Sequence, residues 1–336
     1  MTVPDPTADA RLVAVELAHM VGRVSARGDL PESFADQLLN PEADGALAIL
    51  IDTADTAPAP GGGLGAELLA RLADGLITSR ARVSRSRAAV PLVESLRHHP
   101  EVAADLLARE EAVDALVAGP RRPRLERALV RVLLAVAPLR SPAAVATVVR
   151  RLGRPDVDLD RLAHGVTALL VESFDDLAGM SLGVDAWTEL STDDLNRLLG
   201  RLHAHPVEMS RLSTRCATHG RGRMLVALTN DPATLEESLS QAVRVFAALA
   251  PQKSAERRAY LEVVSKLMRL TALQLLLDQR PAYVPAAVAG AWPCGATGPD
   301  AGERLPVGRL DRRGVDVLLS AMDEHGVLPV PEPLQV

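Results

Sequence analysis

The chain has 336 residues, 48% of them hydrophobic, and this combination argues against an intrinsically disordered protein. Its 37 basic and 43 acidic residues give a formal net charge of −6, which excludes an overall positive field that would attract nucleic acid. The two cysteines, Cys216 and Cys294, are far apart and form no disulfide framework, so the sequence predicts a reducing, cytoplasmic location.

The composition favours helix over strand along the whole chain. Only seven residues are aromatic (two Trp, two Tyr and three Phe), and isoleucine occurs only at positions 49, 51 and 77. Strands are enriched in aromatic and β-branched side chains, whereas Leu and Ala favour helices. The sequence therefore predicts an all-α fold of stacked helical hairpins, arranged as one extended or two-lobed array.

Pro- and Gly-rich stretches divide the chain into four predicted segments. These are N-terminal helices in 1–56, a first helical lobe in 64–152, a second lobe in 157–290, and a C-terminal segment, 291–336, with one short helix. The most apolar run, 129–139, is too short to cross a bilayer and contains an arginine, so we expect no membrane insertion.

A recurring pair of residues predicts where several helices begin. Proline suits the first turn of a helix, because its missing N–H would have no partner there and its fixed φ is already helical. Asn, Ser or Asp directly before the proline can cap the free amides. The pattern occurs at Asn40–Pro41, His99–Pro100, Ser141–Pro142, His205–Pro206 and Asp231–Pro232.

Three segments in the second half of the chain have leucines at helical spacing. The first, 191–204, opens with Ser191 followed three residues later by Asp194, which is close to a capping box. The second is 232–250. The third and longest, about 253–280, stops before a proline.

The stretch "RLHAHPVEMSRLSTRCATHGRGR", residues 201–223, contains His203, His205, Cys216 and His219. These are residue types that bind zinc, which takes four ligands in a tetrahedral arrangement. Residues two apart on a helix point about 200° away from each other, so the first two histidines could not face one ion if both were helical. Their position at a helix joint explains them without a metal. The sequence predicts no cofactor.

The segment "GMSLG" at 179–183 matches the G-x-S-x-G motif of hydrolases, with Ser181 in the position of the nucleophile. The motif has this meaning only at a strand–turn–helix corner. The residues before it have a helical pattern, which favours a loop after a helix, with Gly179 as the C-cap.

Two clusters of arginine could contact phosphate groups. No aromatic side chain for base stacking accompanies either cluster, and helical spacing scatters the first around its axis. This favours solvated surface over a nucleic-acid site. The first cluster is Arg80, Arg82, Arg85 and Arg87, and the second is Arg121, Arg122, Arg124 and Arg127.

The order of the Ala- and Leu-rich segments 93–117, 190–220, 236–250 and 255–268 resembles one family of proteins. It is similar to the long α-helical region of actinobacterial proteins associated with type VII secretion and polymorphic toxins, whose role is unknown. The likeness covers roughly 90–275. It implies a helical fold and an association with type VII secretion or a polymorphic-toxin locus, and it supplies no catalytic residues.

Taken together, these patterns favour a non-catalytic helical scaffold that presents surfaces to a protein partner, with self-association left open. Two alternatives remain at this stage. One is a regulator that contacts nucleic acid through the arginine clusters. The other is a hydrolase that uses Ser181 or a metal site near residues 203–219.

Overall fold

The structure is a computed structural model and describes residues 6–55, 63–117, 121–181, 190–251, 253–294 and 303–331. Within these ranges it contains eighteen α-helices and five short 3₁₀ turns. The described part has no strand beyond one isolated bridge between Cys294 and Arg304. The all-α class predicted from the composition is confirmed. None of the described helices combines the length and apolarity needed to cross a membrane.

The helices follow one another with short connections. The first nine are α1 (Pro6–Ala26), α2 (Glu32–Leu38), α3 (Asp44–Asp55), α4 (Ala66–Leu76), α5 (Arg80–Arg85), α6 (Ala89–Leu96), α7 (Pro100–Leu107), α8 (Glu110–Val117) and α9 (Pro123–Val136). The next nine are α10 (Pro142–Leu152), α11 (Ala163–Glu172), α12 (Phe174–Ser181), α13 (Thr192–Leu202), α14 (Pro206–Asn230), α15 (Leu235–Ala248), α16 (Ser254–Gln279), α17 (Ala286–Ala291) and α18 (Arg312–Glu324).

The chain forms two compact units that alternate along the sequence. The first unit comprises Met1–Ser173 and Trp187–Glu208, and the second comprises Phe174–Ala186 and Met209–Val336. Helix α12 therefore belongs to the second unit, although α13, which follows it, belongs to the first. The lobe boundary predicted near 153–157 lies inside the first unit.

In the first unit, the most extensive packing joins α1 to α3, α6 to α9, and α9 to α11. These partners are not consecutive along the chain, unlike the two helices of a simple hairpin. The helices meet through leucine, valine and alanine side chains, which allow close approach. Fully buried examples are Leu69, Leu72, Leu92, Leu96, Leu106, Leu107, Leu133, Leu152 and Leu169.

In the second unit, α15 and α16 form a hairpin, and α12 packs on α15. Helix α18 packs on both α16 and α17. It is the one α-helix described within the predicted C-terminal segment 291–336. The predicted helix at about 253–280 is confirmed, because α16 runs from Ser254 to Gln279.

All five of the proline pairs mark helix starts, as predicted. Helices α7, α10 and α14 each begin at the proline, and the other two prolines begin 3₁₀ turns that lead directly into α3 and α15. The side chains of Asn40 and Asp231 each accept a hydrogen bond from the amide two residues later, both at 3.1 Å. The Ser191 hydroxyl also accepts one from the Asp194 amide at 3.1 Å, which confirms the predicted cap of α13.

The start of α4 lies directly against the end of α1. The Gly65 amide donates a hydrogen bond to the Ser25 hydroxyl at 2.8 Å, and this hydroxyl donates to the Gly22 carbonyl at 2.9 Å. A Cβ atom at position 65 would lie 2.5 Å from the carbonyl carbon of Ser25 and 2.8 Å from the amide nitrogen of Ala26. Only glycine allows this approach of two backbones.

One arginine joins α13 to the segment that follows α10. The Arg201 guanidinium donates to the carbonyl oxygens of Leu152, Arg154 and Val157. Leu152 is the last residue of α10, where carbonyl groups have no partner within the helix. Burial lowers the pKa of Arg201, against the opposing effect of Asp156 and Asp158. The contact places a charged donor on the negative end of the α10 dipole.

A second arginine connects α16 to the chain after α18. Arg269 is only 3% exposed and pairs with Asp323, which is 57% exposed. Its Nε donates to the Leu328 carbonyl oxygen at 2.8 Å. Leu328 has a φ of 49°, a left-handed conformation that a non-glycine residue adopts only when its surroundings hold it there.

We expect Asp323→Ala to lower the free energy of unfolding of the second unit by about 1–2 kcal/mol, because it leaves the charge of Arg269 without its anion. The exposure of Asp323 limits the cost. Chemical denaturation followed by far-UV circular dichroism measures the change. The double variant Arg269→Met with Asp323→Ala should regain part of the loss. A double variant less stable than Asp323→Ala would contradict the buried-charge explanation.

Candidate functional site

A groove runs along one face of α14 in the second unit. It encloses about 650 Å³, within the range typical of small-molecule sites. The residues of α14 that line it recur every three or four positions, so they form one stripe along the helix. The start of α12, the turn Pro232–Thr234 and the start of α15 form the walls. The α14 residues are Arg215, Thr218, His219, Gly222, Arg223, Val226, Ala227 and Asn230.

An ionic cluster closes the end of the groove near α12. Asp175 accepts a hydrogen bond from the Arg215 guanidinium at 2.9 Å through one carboxylate oxygen. Its other oxygen lies 2.8 Å from His219 Nδ1. Both oxygens of Asp175 are therefore engaged by side chains from α14.

The His219–Asp175 pair has the composition of an acid–base dyad, but its geometry does not fit that role. In a dyad, the ring nitrogen opposite the carboxylate faces the substrate. Here His219 Nε2 is buried and has no hydrogen-bond partner in the part of the chain that the structure describes. The ring of Phe174 lies edge-to-face against the imidazole, with 5.7 Å between centroids. The pair consequently holds α12 to α14 and offers no accessible nitrogen to a substrate.

The other candidate metal ligands from the sequence lie apart from this pair. His203 follows α13, and its amide donates to the Leu199 carbonyl. His205 precedes Pro206 at the start of α14, as the proline pattern predicts. Among the described residues, no group of three or more His, Cys, Asp or Glu side chains is placed to hold a metal ion.

Cys216 lies on the buried face of α14 and is 1% exposed. Burial raises the pKa of its thiol, which keeps the sulfur protonated at neutral pH. A nucleophile or a metal ligand must be the thiolate. Cys216 is therefore a core residue.

Ser181 is the last residue of α12, and the remainder of its motif, 182–183, lies outside the described residues. The backbone before it is two consecutive helices, α11 and α12, so the strand of a hydrolase corner does not precede it. The prediction that Gly179 ends the helix is wrong, because the helix continues for two residues beyond it.

The first arginine cluster lies in and just after α5, a six-residue helix that buries only Val83. Because so little of this helix is covered, its arginines are exposed on all sides. The Arg82 guanidinium donates to the Leu39 carbonyl at 3.0 Å. The exposed residues are Arg80, Arg82, Arg85 and Arg87.

The fold brings one residue of the second arginine cluster near the first, although the two clusters are about forty residues apart in the sequence. Arg122, at the start of α9, is close enough to Arg80 for that charge to affect it. Burial, and then the charge of Arg80, lower the pKa of the Arg122 guanidinium, while Glu126 raises it. We use the term arginine surface for Arg80, Arg82, Arg85, Arg87, Arg122 and Arg124.

The other arginines of the first unit are mostly neutralised. By contrast, no carboxylate among the described residues lies within 4.0 Å of the guanidinium of any member of the arginine surface. The arginines with a carboxylate within that distance include Arg97, Arg109, Arg121, Arg131, Arg150, Arg151, Arg154 and Arg161.

No family model, no curated protein and no solved structure matches the chain. The groove and the arginine surface are therefore interpreted from their own chemistry. The groove is mixed in charge and partly apolar, whereas the arginine surface is cationic.

Sequence reasoning missed two of the contacts that define these surfaces. It did not connect Asp175 with Arg215 and His219, because these partners are forty or more residues away in the sequence. It also treated the arginine clusters separately. Neither contact leaves a local signal, since each depends on which helices pack together.

Proposed function

We propose that the protein is a non-catalytic helical interaction protein whose arginine surface binds an acidic segment of a protein partner. The observation that carries this proposal is a group of guanidinium groups, all but that of Arg122 on exposed residues, that have no carboxylate partner among the described residues, in a unit where most of the other arginines are paired. Like charges held close together repel one another. An anionic partner relieves that repulsion and supplies charge-assisted hydrogen bonds.

A protein partner fits this surface better than nucleic acid does. Single-stranded nucleic acid is usually held by aromatic side chains that stack on bases, and the sequence has no aromatic residue from 35 to 173. Duplex binding relies on many phosphate contacts, and the net charge of −6 opposes them at long range. An acidic peptide needs only a few guanidinium groups.

The resemblance to secretion-associated helical proteins supports the same class of function. Within this proposal, the chain acts as a cytoplasmic scaffold that receives an acidic region of a secreted protein or of a secretion component. Self-association is a further part of the proposal, which size-exclusion chromatography with light scattering would measure.

A fluorescein-labelled peptide of repeated Glu-Gly-Ser units tests the proposal by fluorescence anisotropy. We expect salt-sensitive binding, since exposed charges are screened by added ions. The double variant Arg80→Ala with Arg85→Ala should bind about 10-fold more weakly or worse, because it removes two charge-assisted contacts. Both side chains are exposed, so the variant should fold normally.

Two controls make this experiment specific. The variant Arg312→Ala with Arg313→Ala makes the same change in net charge on α18, where both residues are also exposed, and it should bind like the unmodified protein. A Gln-Gly-Ser peptide should not bind. Equal weakening by both double variants would overturn the assignment to this surface. Tighter binding of a single-stranded DNA of equal charge would favour the nucleic-acid alternative.

A further inference from the structure

We propose that the groove on α14 binds a short extended peptide, with the peptide carboxylate at Arg223 and its amino group at Asp231. This site lies on the second unit, and the inference does not depend on the arginine surface. It rests on the charges that the groove presents, on their spacing, and on a glycine that keeps the groove open.

The two ends of the proposed site are charges without an ionic partner among the described residues. Arg223 donates to the Gln241 side-chain oxygen at 2.6 Å, which orients its guanidinium but leaves its charge uncompensated. Asp231 accepts from the Ala233 amide at 3.1 Å through one oxygen and has no basic group within 4.0 Å. The first can bind a carboxylate, and the second can bind an ammonium group.

The spacing of these charges selects the length of the ligand. Asp231 directly follows α14 and is eight positions after Arg223, so a rise of about 1.5 Å per residue places their Cα atoms about 12 Å apart along the helix axis. An extended peptide spans at most about 3.3–3.6 Å per residue, so three or four residues fit between the two charges. An amino acid is too short to reach both.

The floor between the two charges suits a peptide chain with an apolar side chain. Val226 is 59% exposed there, and Ala227 lies beside it. The Asn230 amide, which can both donate and accept, borders the same floor and can pair with a peptide backbone. The opposite end of the groove does not offer a site, because Asp175 is already engaged by Arg215 and His219.

Gly222 keeps the groove open beside Arg223. A Cβ atom at this position would meet nothing within 4 Å among the described residues, so no contact with them requires glycine. Gly220 differs, because its Cβ would lie 3.0 Å from the Ala242 Cβ. Glycine inside a helix is unfavourable relative to alanine. The open space above Gly222 is where the peptide would lie.

Isothermal titration calorimetry with the tripeptide Ala-Leu-Ala tests the inference on the full chain. We expect binding of the free tripeptide, and about 10-fold weaker binding after C-terminal amidation or N-terminal acetylation, since each removes one charged contact. Arg223→Gln should weaken binding of the free acid and leave binding of the amide unchanged. Equal binding of free and capped peptides, or no binding of any, would overturn the proposal.

A pair of glycine variants separates binding from stability. Gly222→Ala should raise the melting temperature, because alanine favours helix, and yet weaken tripeptide binding about 10-fold. Gly290→Ala, in α17, also places its added Cβ more than 4 Å from every described atom outside its own surroundings, and it should raise the melting temperature without affecting binding. Undiminished binding by Gly222→Ala would contradict the proposed position of the ligand. The Arg80→Ala with Arg85→Ala variant should bind the tripeptide normally.

Discussion

Replacing Arg201 by Met is expected to lower the free energy of unfolding of the first unit by about 2–4 kcal/mol. Methionine keeps the aliphatic stem but removes all the hydrogen bonds to Leu152, Arg154 and Val157. Bonds from a charged donor contribute about 1.5–3 kcal/mol each, and unpaired carbonyl groups lose free energy unless water reaches them. Because Arg201 is partly exposed, water should replace some of these bonds, which keeps the total below their sum.

Urea denaturation followed by far-UV circular dichroism would measure this loss. Arg197→Met is the matched control, because Arg197 lies one turn earlier on α13, is 60% exposed and, among the described residues, pairs only with Asp194 on its own helix. Arg197→Met should lower the free energy of unfolding by less than about 0.5 kcal/mol. Arg201→Lys should recover only part of the stability, since an ammonium group cannot fork to several carbonyls. Equal effects at positions 197 and 201 would refute the proposed role of the carbonyl contacts.

Gly65→Ala is also expected to lower the free energy of unfolding of the first unit, by about 2–4 kcal/mol. The added methyl group overlaps the backbone at the end of α1, and overpacking of this kind costs about 1–3 kcal/mol or more. Separation of the two backbones would also break the hydrogen bond from the Gly65 amide to the Ser25 hydroxyl, worth about 1 kcal/mol. The clash is with main-chain atoms of Ser25 and Ala26, which cannot rotate away as a side chain could.

Gly63→Ala provides the comparison for this variant. It lies in the same connection, two residues earlier, and its added Cβ would meet no described atom within 4 Å. We expect Gly63→Ala to change the free energy of unfolding by less than about 0.5 kcal/mol, as measured by thermal or urea unfolding. If Gly63→Ala lowered the free energy of unfolding as much as Gly65→Ala, the connection would tolerate no substitution at either position. Close contact of the two backbones at Gly65 would then not explain the loss.

The helices and their starts were predictable because their signals are local. A proline has a fixed φ angle and no N–H donor, and the residue before it can cap the free amides of the first turn. Ser141 and Asp231 therefore mark helix starts independently of the rest of the chain. The leucine spacing of α16 gives its length for the same reason. Composition gives the class, because Leu and Ala favour helix and few β-branched or aromatic residues are present.

The arrangement of the helices was not predictable in this way. Arg201 has the sequence context of an exposed residue on an amphipathic helix, and its three acceptors lie more than forty residues away. The proximity of Arg80 and Arg122 likewise depends on tertiary packing. The histidines show the same limit, because His219 is engaged by a carboxylate from another helix and not by the neighbouring histidines.

The two proposed binding surfaces differ in what they would recognise. The arginine surface would bind negative charge with little dependence on sequence, and its affinity should fall as salt is added. The groove would select free peptide ends at a fixed separation, with less dependence on salt where the ligand is partly enclosed. If the measurements contradict the proposal for one surface, the proposal for the other still stands, because the variants change different units.

The order of the units along the chain limits how the protein can be dissected. Since α12 is synthesised before α13 but belongs to the other unit, no single cleavage yields two fragments that each contain one complete unit. Every truncation after Ser173 and before Glu208 removes part of the first unit together with most of the second. On the ribosome, α13 emerges only after α12 of the other unit, so the first unit is complete only when the residues up to Glu208 have emerged.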